Sequence, residues 1–226
     1  MSVIPKPAST VVLMDDLSRV YLTQRPETMK FFGGFHVFPG GAVEEEDNHL
    51  HHTIGKIEVP DASLSAGYYM AAARELFEEV GILLGTREDG TPALLSKEKE
   101  MDYRSKLISN DISFNHVLEE ERLKLELDCL SYIGQIITPE DHPIRFDTRF
   151  FLAKLPQGQS PDPDRNEIAD ALWIHPGEAL EGLEKREIKL GPPTIITLET
   201  IISHLDGGKL HMSPSTDDLK KYFKYL

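Results

Sequence analysis

The chain has 226 residues, of which 40% are hydrophobic, and its formal net charge is −14. This length and composition support one large α/β domain with a full core and do not require a second domain. The negative charge argues against a general affinity for nucleic acid or an anionic membrane surface, but it is compatible with a phosphorylated substrate because a bound divalent cation reverses the local field.

The single cysteine, Cys129, excludes a disulfide within the chain and a thiolate metal cluster, which fits a reducing compartment. No apolar run approaches the roughly 20 residues of a membrane-spanning helix, and no charged-then-apolar leader opens the chain. We therefore expect a cytoplasmic protein that does not cross a membrane.

The N-terminal region predicts a β-hairpin followed by a glycine-rich turn. Two runs of β-forming residues, 9–13 and 20–24, are separated by a polar turn. A brief strand at 36–38 then precedes the turn at 39–41. Gly40 and Gly41 would let the backbone approach a ligand, and a carbonyl oxygen near Gly41 could join a metal shell. A plain tight turn is the alternative interpretation.

Residues 68–80 predict the helix around which the chain is organised, because they are rich in strong helix formers. Helical periodicity places Glu75, Glu78 and Glu79 within one arc. Like charges at this spacing each cost roughly 0.2 to 0.5 kcal/mol, and only Arg74, four residues before Glu78, offsets them. Because this repulsion has no evident structural benefit, the clustered carboxylates favour a Mg²⁺ or Mn²⁺ site. The alternative is a solvated acidic surface.

The segments on either side of this helix are predicted to be insertions. Residues 44–65 are polar and irregular, and three histidines there, His49, His51 and His52, are potential zinc ligands. Since no fourth ligand lies at a recognised spacing, solvated histidines are the favoured interpretation.

Apolar spacing at 96–108 and 113–127 predicts two helices that form a lid or insertion on the substrate side. Three consecutive carboxylates lie within the second of these segments. We expect these side chains, Glu119, Glu120 and Glu121, to face solvent.

The C-terminal half predicts strands at 130–138, 146–155 and 171–174, then helices at 176–183 and 192–205. Alternation along the second strand places Arg145, Asp147 and Arg149 on one face and Phe146, Thr148 and Phe150 on the other. Two arginines that flank an aspartate bind phosphate or nucleotide, or else form a structural ion pair.

The predicted helix carries a recognisable motif. Residues 74–82, Arg-Glu-Leu-x-Glu-Glu-x-Gly-Ile, match the second half of the signature of the Nudix hydrolases, and residues 38–44 resemble its opening. Asp47 stands where that family has a glutamate, and the usual seven-residue spacer before the arginine becomes 26 residues, 48–73. We interpret the extra residues as a loop insertion, and either Glu46 or Asp47 fills the first acidic position.

Together with segments 36–41, 138–140 and 145–151, this motif resembles the Nudix branch similar to Nudix hydrolase 19, over roughly residues 9–205. The resemblance implies an α/β/α sandwich with a mixed central sheet, in a single domain spanning 1–226. A loop insertion is expected within the motif and a helical insertion after it. Their predicted limits are residues 48–66 and about 94–128.

The resemblance also implies a reaction: metal-dependent hydrolysis of a diphosphate linkage in a nucleotide derivative, with coenzyme A or acyl-CoA as the preferred small-molecule substrate. ADP-ribose, NADH and dinucleoside polyphosphates are the alternative substrates, and a catalytically silent nucleotide sensor is the alternative function. A homodimer is expected because dimers are frequent in Nudix families.

Roles for individual residues follow from the resemblance and the site chemistry. We expect Glu75, Glu78 and Glu79 to hold Mg²⁺ or Mn²⁺, and Arg74 to orient these carboxylates. One of the three, or Glu167 on the loop before the last strand, would take a proton from the attacking water. The remaining substrate contacts are expected from Arg25, Phe38, Gly40, Gly41, Arg145, Phe146 and Arg149.

Overall fold

A computed structural model describes residues 3–30, 32–49, 64–125, 127–222 and 225. Within these residues seven strands form one sheet: β1 (Lys6–Met14), β2 (Val20–Gln24), β3 (His36–Val37), β4 (Gly40–Ala42), β5 (Ser131–Ile137), β6 (Phe146–Lys154) and β7 (Asp170–Ile174). The α-helices of the described residues are α1 (Ala66–Val80), α2 (Lys97–Ile108), α3 (Phe114–Glu120), α4 (Pro176–Glu184), α5 (Pro192–Leu205) and α6 (Thr216–Lys220).

The sheet is mixed, with the strand order β3-β2-β1-β6-β5, and β4 and β7 pair with β1 and β2. β1 runs parallel to β6, and the other strand pairs are antiparallel. Successive side chains of β1 enter opposite core clusters, Val11 and Leu13 on one face and Val12 and Met14 on the other. Because α1 covers the first face and α5 the second, the predicted α/β/α sandwich is confirmed.

The predicted elements agree closely with the observed ones around α1. The helix begins two residues earlier than predicted, where the Ser65 hydroxyl accepts a hydrogen bond from the Gly67 amide, and it ends at the predicted residue. Gly81 follows in the left-handed conformation, with φ 72°. One face of α1 is buried against β1, so the helix and the strand fix each other's position.

The Gly40–Gly41 segment, predicted as a turn, instead forms the short strand β4 against β1. A Cβ atom at Gly40 would lie 2.2 Å from the Ser9 carbonyl oxygen, and its φ of +154° is also rare for other residues. Glycine therefore lets β4 pair with β1 and brings this backbone alongside α1.

Two helices do form in the predicted range 94–128, but the second is shorter than expected. α3 ends at Glu120, and Arg122 adopts a positive φ of 52°. The prediction that Glu121 faces solvent is wrong, because its carboxylate accepts hydrogen bonds from the Tyr103 hydroxyl at 2.7 Å and the Lys99 ammonium at 2.6 Å. The hydrogen bonds from these two α2 side chains offset the desolvation cost of burying the Glu121 carboxylate.

Most of the predicted loop insertion, 48–66, lies outside the described residues, and so do His51 and His52. His49 is described, and its Nδ1 lies 3.4 Å from the exposed Glu46 carboxylate. Among the described helices, none is long and apolar enough to cross a membrane.

Candidate active site

Arg74 on α1 and Asp47 form a bidentate ion pair that bridges the predicted insertion. The Nε–Oδ1 and Nη2–Oδ2 distances are both 3.0 Å, and the two side chains are only 6% and 2% exposed. Asp47 lies in a short 3-10 helix, Glu46–Asn48, where it also accepts a hydrogen bond from the Glu44 amide at 2.8 Å. Asp47 rather than the exposed Glu46 therefore fills the first acidic position of the motif.

The rest of the Arg74 guanidinium orients the carboxylates of α1. Its Nη1 donates to Glu75 Oε1 at 3.0 Å and to Glu78 Oε2 at 3.1 Å, and its Nη2 donates to the Ala42 carbonyl at 2.8 Å. Burial by itself would lower the pKa of Arg74, but the Asp47 hydrogen bond and the nearby carboxylates raise it above its ordinary value. The structure places Arg74 in the orienting position that the sequence predicts.

The glycines of β4 lie directly against the acidic face of α1. The Gly40 amide donates to Glu79 Oε2 at 3.2 Å. A Cβ atom at Gly41 would lie 2.3 Å from Glu75 Oε1, which is closer than carbon and oxygen approach without a shift. Glycine at these two positions therefore permits the approach of backbone and carboxylates.

The three carboxyl groups of α1 have raised pKa values. Burial raises the pKa of Glu75 to about 7 although Arg74 opposes the shift, and burial likewise raises the pKa of Glu78 to about 7. Burial and the charge of Glu75 raise the pKa of Glu79 well above its ordinary value. The cluster holds more negative charge than Arg74 balances, so it favours a further cation or protons.

Glu167 and Arg25 join this cluster from two other loops. Desolvation and the charge of Asp164 raise the pKa of Glu167, while Arg25 lowers it. Glu167 in turn raises the pKa values of Glu75 and Glu79, and Arg25 lowers that of Glu79. Glu167 and Arg25 therefore lie close enough to the acidic face of α1 to interact with it electrostatically, and their predicted roles remain predictions.

A clamp that no sequence pattern predicted holds the C-terminal end of α1. Arg104 of α2 donates from Nε to the Glu78 carbonyl at 3.0 Å and from Nη2 to the Glu79 carbonyl at 3.1 Å. The amides of Asp162 and Asp164 donate to the carbonyls of Val80 and Glu79 at 2.9 and 2.8 Å. The last carbonyls of any helix have no partner within the helix. This general requirement indicates that donors must exist near the end of α1, but it does not identify them.

Several predicted substrate residues lie elsewhere. Phe38 is 4% exposed and packs in the core cluster on the α5 face, so its ring stacks on no ligand there. Arg145 is buried, and it donates to the carbonyls of Thr138 at 3.0 Å and Val3 at 2.6 Å. These contacts are structural, and the expected ligand role of both side chains finds no support in their placement.

Phe146 and Arg149 belong to β6, which pairs with β1. Arg149 forms an ion pair with Asp147 and lies over the ring of Tyr68, 4.8 Å from its centroid. Tyr68 lies in the first turn of α1, whereas Glu78 and Glu79 lie in its last turn. The structure therefore favours the ion-pair interpretation of this pattern and separates it from the acidic face.

The donor chemistry of the acidic face fits a hard divalent cation, because carboxylate oxygens are the ligands that Mg²⁺ and Mn²⁺ prefer. Within the described ranges, however, no three Asp, Glu, His or Cys side chains converge closely enough to form a ligand shell. Arg74 holds Glu75 and Glu78, and Gly40 holds Glu79. Shared ligation by these carboxylates would therefore require side-chain rotations.

The chain matches the family model of the NUDT19 Nudix domain over residues 51–201. A Caenorhabditis elegans protein that carries the name nudix hydrolase 7 is 27% identical over 191 residues, which cover 84% of this chain and 58% of that protein. Human acyl-coenzyme A diphosphatase NUDT19 is 26% identical over 241 residues, covering 85% of this chain and 63% of that protein. The chain thus spans about three-fifths of the length of these curated relatives.

Among solved structures, the chain is similar to a NUDIX hydrolase from Alicyclobacillus acidocaldarius. The TM-score is 0.78 at 26% identity, and the match covers 93% of this chain and 99% of that chain. The described fold is therefore a Nudix fold along most of its length.

Proposed function

Because the chain belongs to the NUDT19 Nudix domain family, we propose that it is a pyrophosphohydrolase that cleaves a diphosphate linkage in a nucleotide derivative, with coenzyme A or an acyl-CoA as the preferred substrate. The observation that carries the proposed activity is the Arg74 hub, which holds Asp47, Glu75 and Glu78 beside the glycine backbone of β4. The similarity to human acyl-coenzyme A diphosphatase supports the substrate.

The metal is part of this proposal. Nudix hydrolases generally use divalent ions, and we assign Mg²⁺ or Mn²⁺ to the carboxylates of Glu75, Glu78 and Glu79. Such an ion, when bound, neutralises the diphosphate and lowers the pKa of a water molecule. The raised pKa values of these three groups support the assignment, because carboxyl groups that share too little positive charge bind a cation readily.

The side chains of the chain itself perform the remaining tasks. Arg74 fixes the orientation of Glu75 and Glu78 while the substrate binds. Arg25, whose charge reaches Glu79 and Glu167, is suited to hold a phosphate oxygen at the same point. A proton leaves the attacking water for Glu167 or for one of the α1 carboxylates, and the raised pKa of Glu167 suits a general base near neutral pH.

The test is hydrolysis by the full chain of CoA, acyl-CoA, ADP-ribose, NADH and diadenosine polyphosphates with Mg²⁺ or Mn²⁺, with products identified by mass. We expect CoA or acyl-CoA to be cleaved with the highest kcat/KM. Glu78→Gln and Glu79→Gln should each lower kcat at least about 100-fold, as expected for removal of a catalytic group. The control is Glu181→Gln, since the side chain of Glu181 is 70% exposed on α4.

Other outcomes separate the alternatives. Preferred cleavage of ADP-ribose, NADH or a dinucleoside polyphosphate would retain the reaction and reject the CoA substrate. Nucleotide binding that ignores metal, without turnover of any compound, would identify a sensor. Undiminished rates in both glutamate variants would reject the role of the acidic face.

Three wider expectations also belong to the proposal. We infer a single domain over 1–226, because the described strands share one sheet. A cytoplasmic location is expected because Cys129 is the single cysteine of the sequence, so the chain needs no internal disulfide, which suits a reducing compartment. A homodimer remains a prediction that sedimentation of the purified chain would test.

A further inference from the structure

Helix α2 has two different faces. Tyr103 and Leu107 are each 4% exposed and pack in the core. A second stripe follows helical spacing at i, i+3, i+4 and i+7, and its two large apolar members, Met101 and Ile108, are 60% and 41% exposed. The rest of α2 is mostly charged, so these two side chains give an otherwise polar surface a local apolar character.

This second stripe forms one wall of a groove of about 670 Å³. The opposite wall is the loop 162–167, which also supplies the amides that cap α1. The volume lies within the range of roughly 300 to 1,000 Å³ that is usual for small-molecule sites. Its lining includes Met101, Ser105, Ile108, Pro163, Arg165 and Glu167.

The groove adjoins the candidate active site. Glu167 lines the groove and acts electrostatically on Glu75 and Glu79. Arg104, another lining residue, donates directly to the Glu79 carbonyl. A substrate whose diphosphate lies over the acidic face of α1 would therefore extend past Glu167 into the groove.

Two of the charged groups along the groove are paired within the protein. Arg104 donates to Glu100 at 3.1 Å as well as to the end of α1, and Asp162 forms an ion pair with Lys97. Arg165 forms no ion pair within the part of the chain that the structure describes. The walls thus offer apolar side chains and hydroxyl groups from α2, and the facing loop adds the Arg165 cation beside the carboxylates of Asp164 and Glu167.

We propose that this groove binds the acyl-pantetheine arm of an acyl-CoA, an inference that rests on the diphosphate hydrolysis proposed above. The arm is uncharged beyond its first phosphate, carries amides that suit Ser105 and its neighbours, and ends in a hydrocarbon chain that Met101 and Ile108 would contact. Arg165 would lie beside the phosphate where the arm begins. A ribose or second nucleoside, rich in hydroxyl groups, would gain little from the apolar stripe.

The test compares kcat/KM for octanoyl-CoA and for CoA with Mg²⁺, using the full chain. In the wild type we expect octanoyl-CoA to be the better substrate. Met101→Glu and Ile108→Glu should each lower the octanoyl-CoA to CoA ratio about tenfold, the loss expected when about two methylene groups lose apolar contact. Leu205→Glu is the matched control, since Leu205 is 40% exposed on α5 and does not line the groove, and its ratio should equal that of the wild type.

The outcomes distinguish the two levels of the proposal. If the wild type cleaves acyl-CoA and both groove variants keep its octanoyl-CoA to CoA ratio, the groove is not the arm's binding site. If the wild type cleaves other diphosphates but no CoA compound, the proposed substrate is wrong and the assignment of the groove is rejected with it. Circular dichroism of each variant identifies any loss of folding, and Met101→Gln and Ile108→Gln then replace a variant that fails to fold.

Discussion

Asp47 and Arg74 are 27 positions apart in the sequence, yet their side chains form a buried ion pair with two contacts of 3.0 Å. The pair closes the long insertion between the two halves of the motif. It also holds Arg74 where its remaining donors reach Glu75 and Glu78. The ion pair with Asp47 therefore helps to set the geometry of the acidic face through the shared Arg74 guanidinium.

Breaking this ion pair should destabilise the protein strongly. Asp47→Asn leaves the Arg74 charge buried without its main partner, so we expect the free energy of unfolding to fall by roughly 3 to 5 kcal/mol. Asp47→Glu keeps the charge and should recover part of the loss. Urea denaturation measures both, with Glu46→Gln as the control because the Glu46 side chain is 63% exposed. A loss below about 1 kcal/mol in Asp47→Asn would contradict this account.

A methyl group at Gly41 should impair catalysis more than stability. The added Cβ would overlap Glu75 Oε1 at 2.3 Å, and the flexible end of Glu75 can swing away at low cost. We expect Gly41→Ala to lower kcat at least about tenfold while the melting temperature changes by only a few degrees, because a small displacement at reacting groups has large kinetic effects.

The control for Gly41→Ala is Gly177→Ala on α4, where the nearest atom to the new Cβ would be 3.9 Å away. Its activity should match that of the wild type. Equal activity of Gly41→Ala and Gly177→Ala would show that the position of Glu75 does not limit turnover.

Loss of the Arg104 clamp should loosen the end of α1. Arg104→Gln removes the donors to the carbonyls of Glu78 and Glu79, and unsatisfied buried carbonyls cost roughly 1 to 3 kcal/mol. Because the same two residues carry proposed metal ligands, we also expect a higher Mg²⁺ concentration at half-maximal activity. Lys106→Gln on the same helix is the control, and an unchanged Mg²⁺ dependence in Arg104→Gln would limit its role to stability.

The raised pKa of Glu78 predicts a pH dependence of stability in the chelator-treated protein. Its pKa is raised from 4.5 to about 7, chiefly by burial, so the folded state binds more protons than the unfolded chain. Its contribution to stability is therefore fully present below about pH 4.5 and is lost as the pH rises through about 7. Relative to Glu78→Gln, the wild type should lose roughly 2 to 3 kcal/mol between about pH 5 and pH 8.

Chemical denaturation of both proteins at several pH values measures this difference. Added Mg²⁺ should restore much of the stability at high pH, because the cation compensates the ionised carboxylates. A difference between wild type and Glu78→Gln that stays constant with pH would show that Glu78 has an ordinary pKa.

Several elements of the fold and the acidic face could be predicted from local sequence patterns. Local rules identified α1, since its helix formers and its terminal glycine act within a few residues, and the motif on that helix identified the acidic face. Period-two alternation found β6, and the proline-led start of α5 was predicted at the observed residue. These features depend on neighbours in the chain, so they can be recognised without the fold.

Contacts between residues far apart in the sequence depend on the packing of the whole fold. In the folded protein Asp47, and not Glu46, pairs with Arg74, and Glu121 is buried against α2. Phe38 and Arg145 make structural contacts away from the acidic face. The Arg104 clamp and the groove beside Glu167 arise in the same way, from packing between elements far apart in sequence. Burial and hydrogen-bond satisfaction are properties of the whole packed chain, which is why no local pattern could assign them.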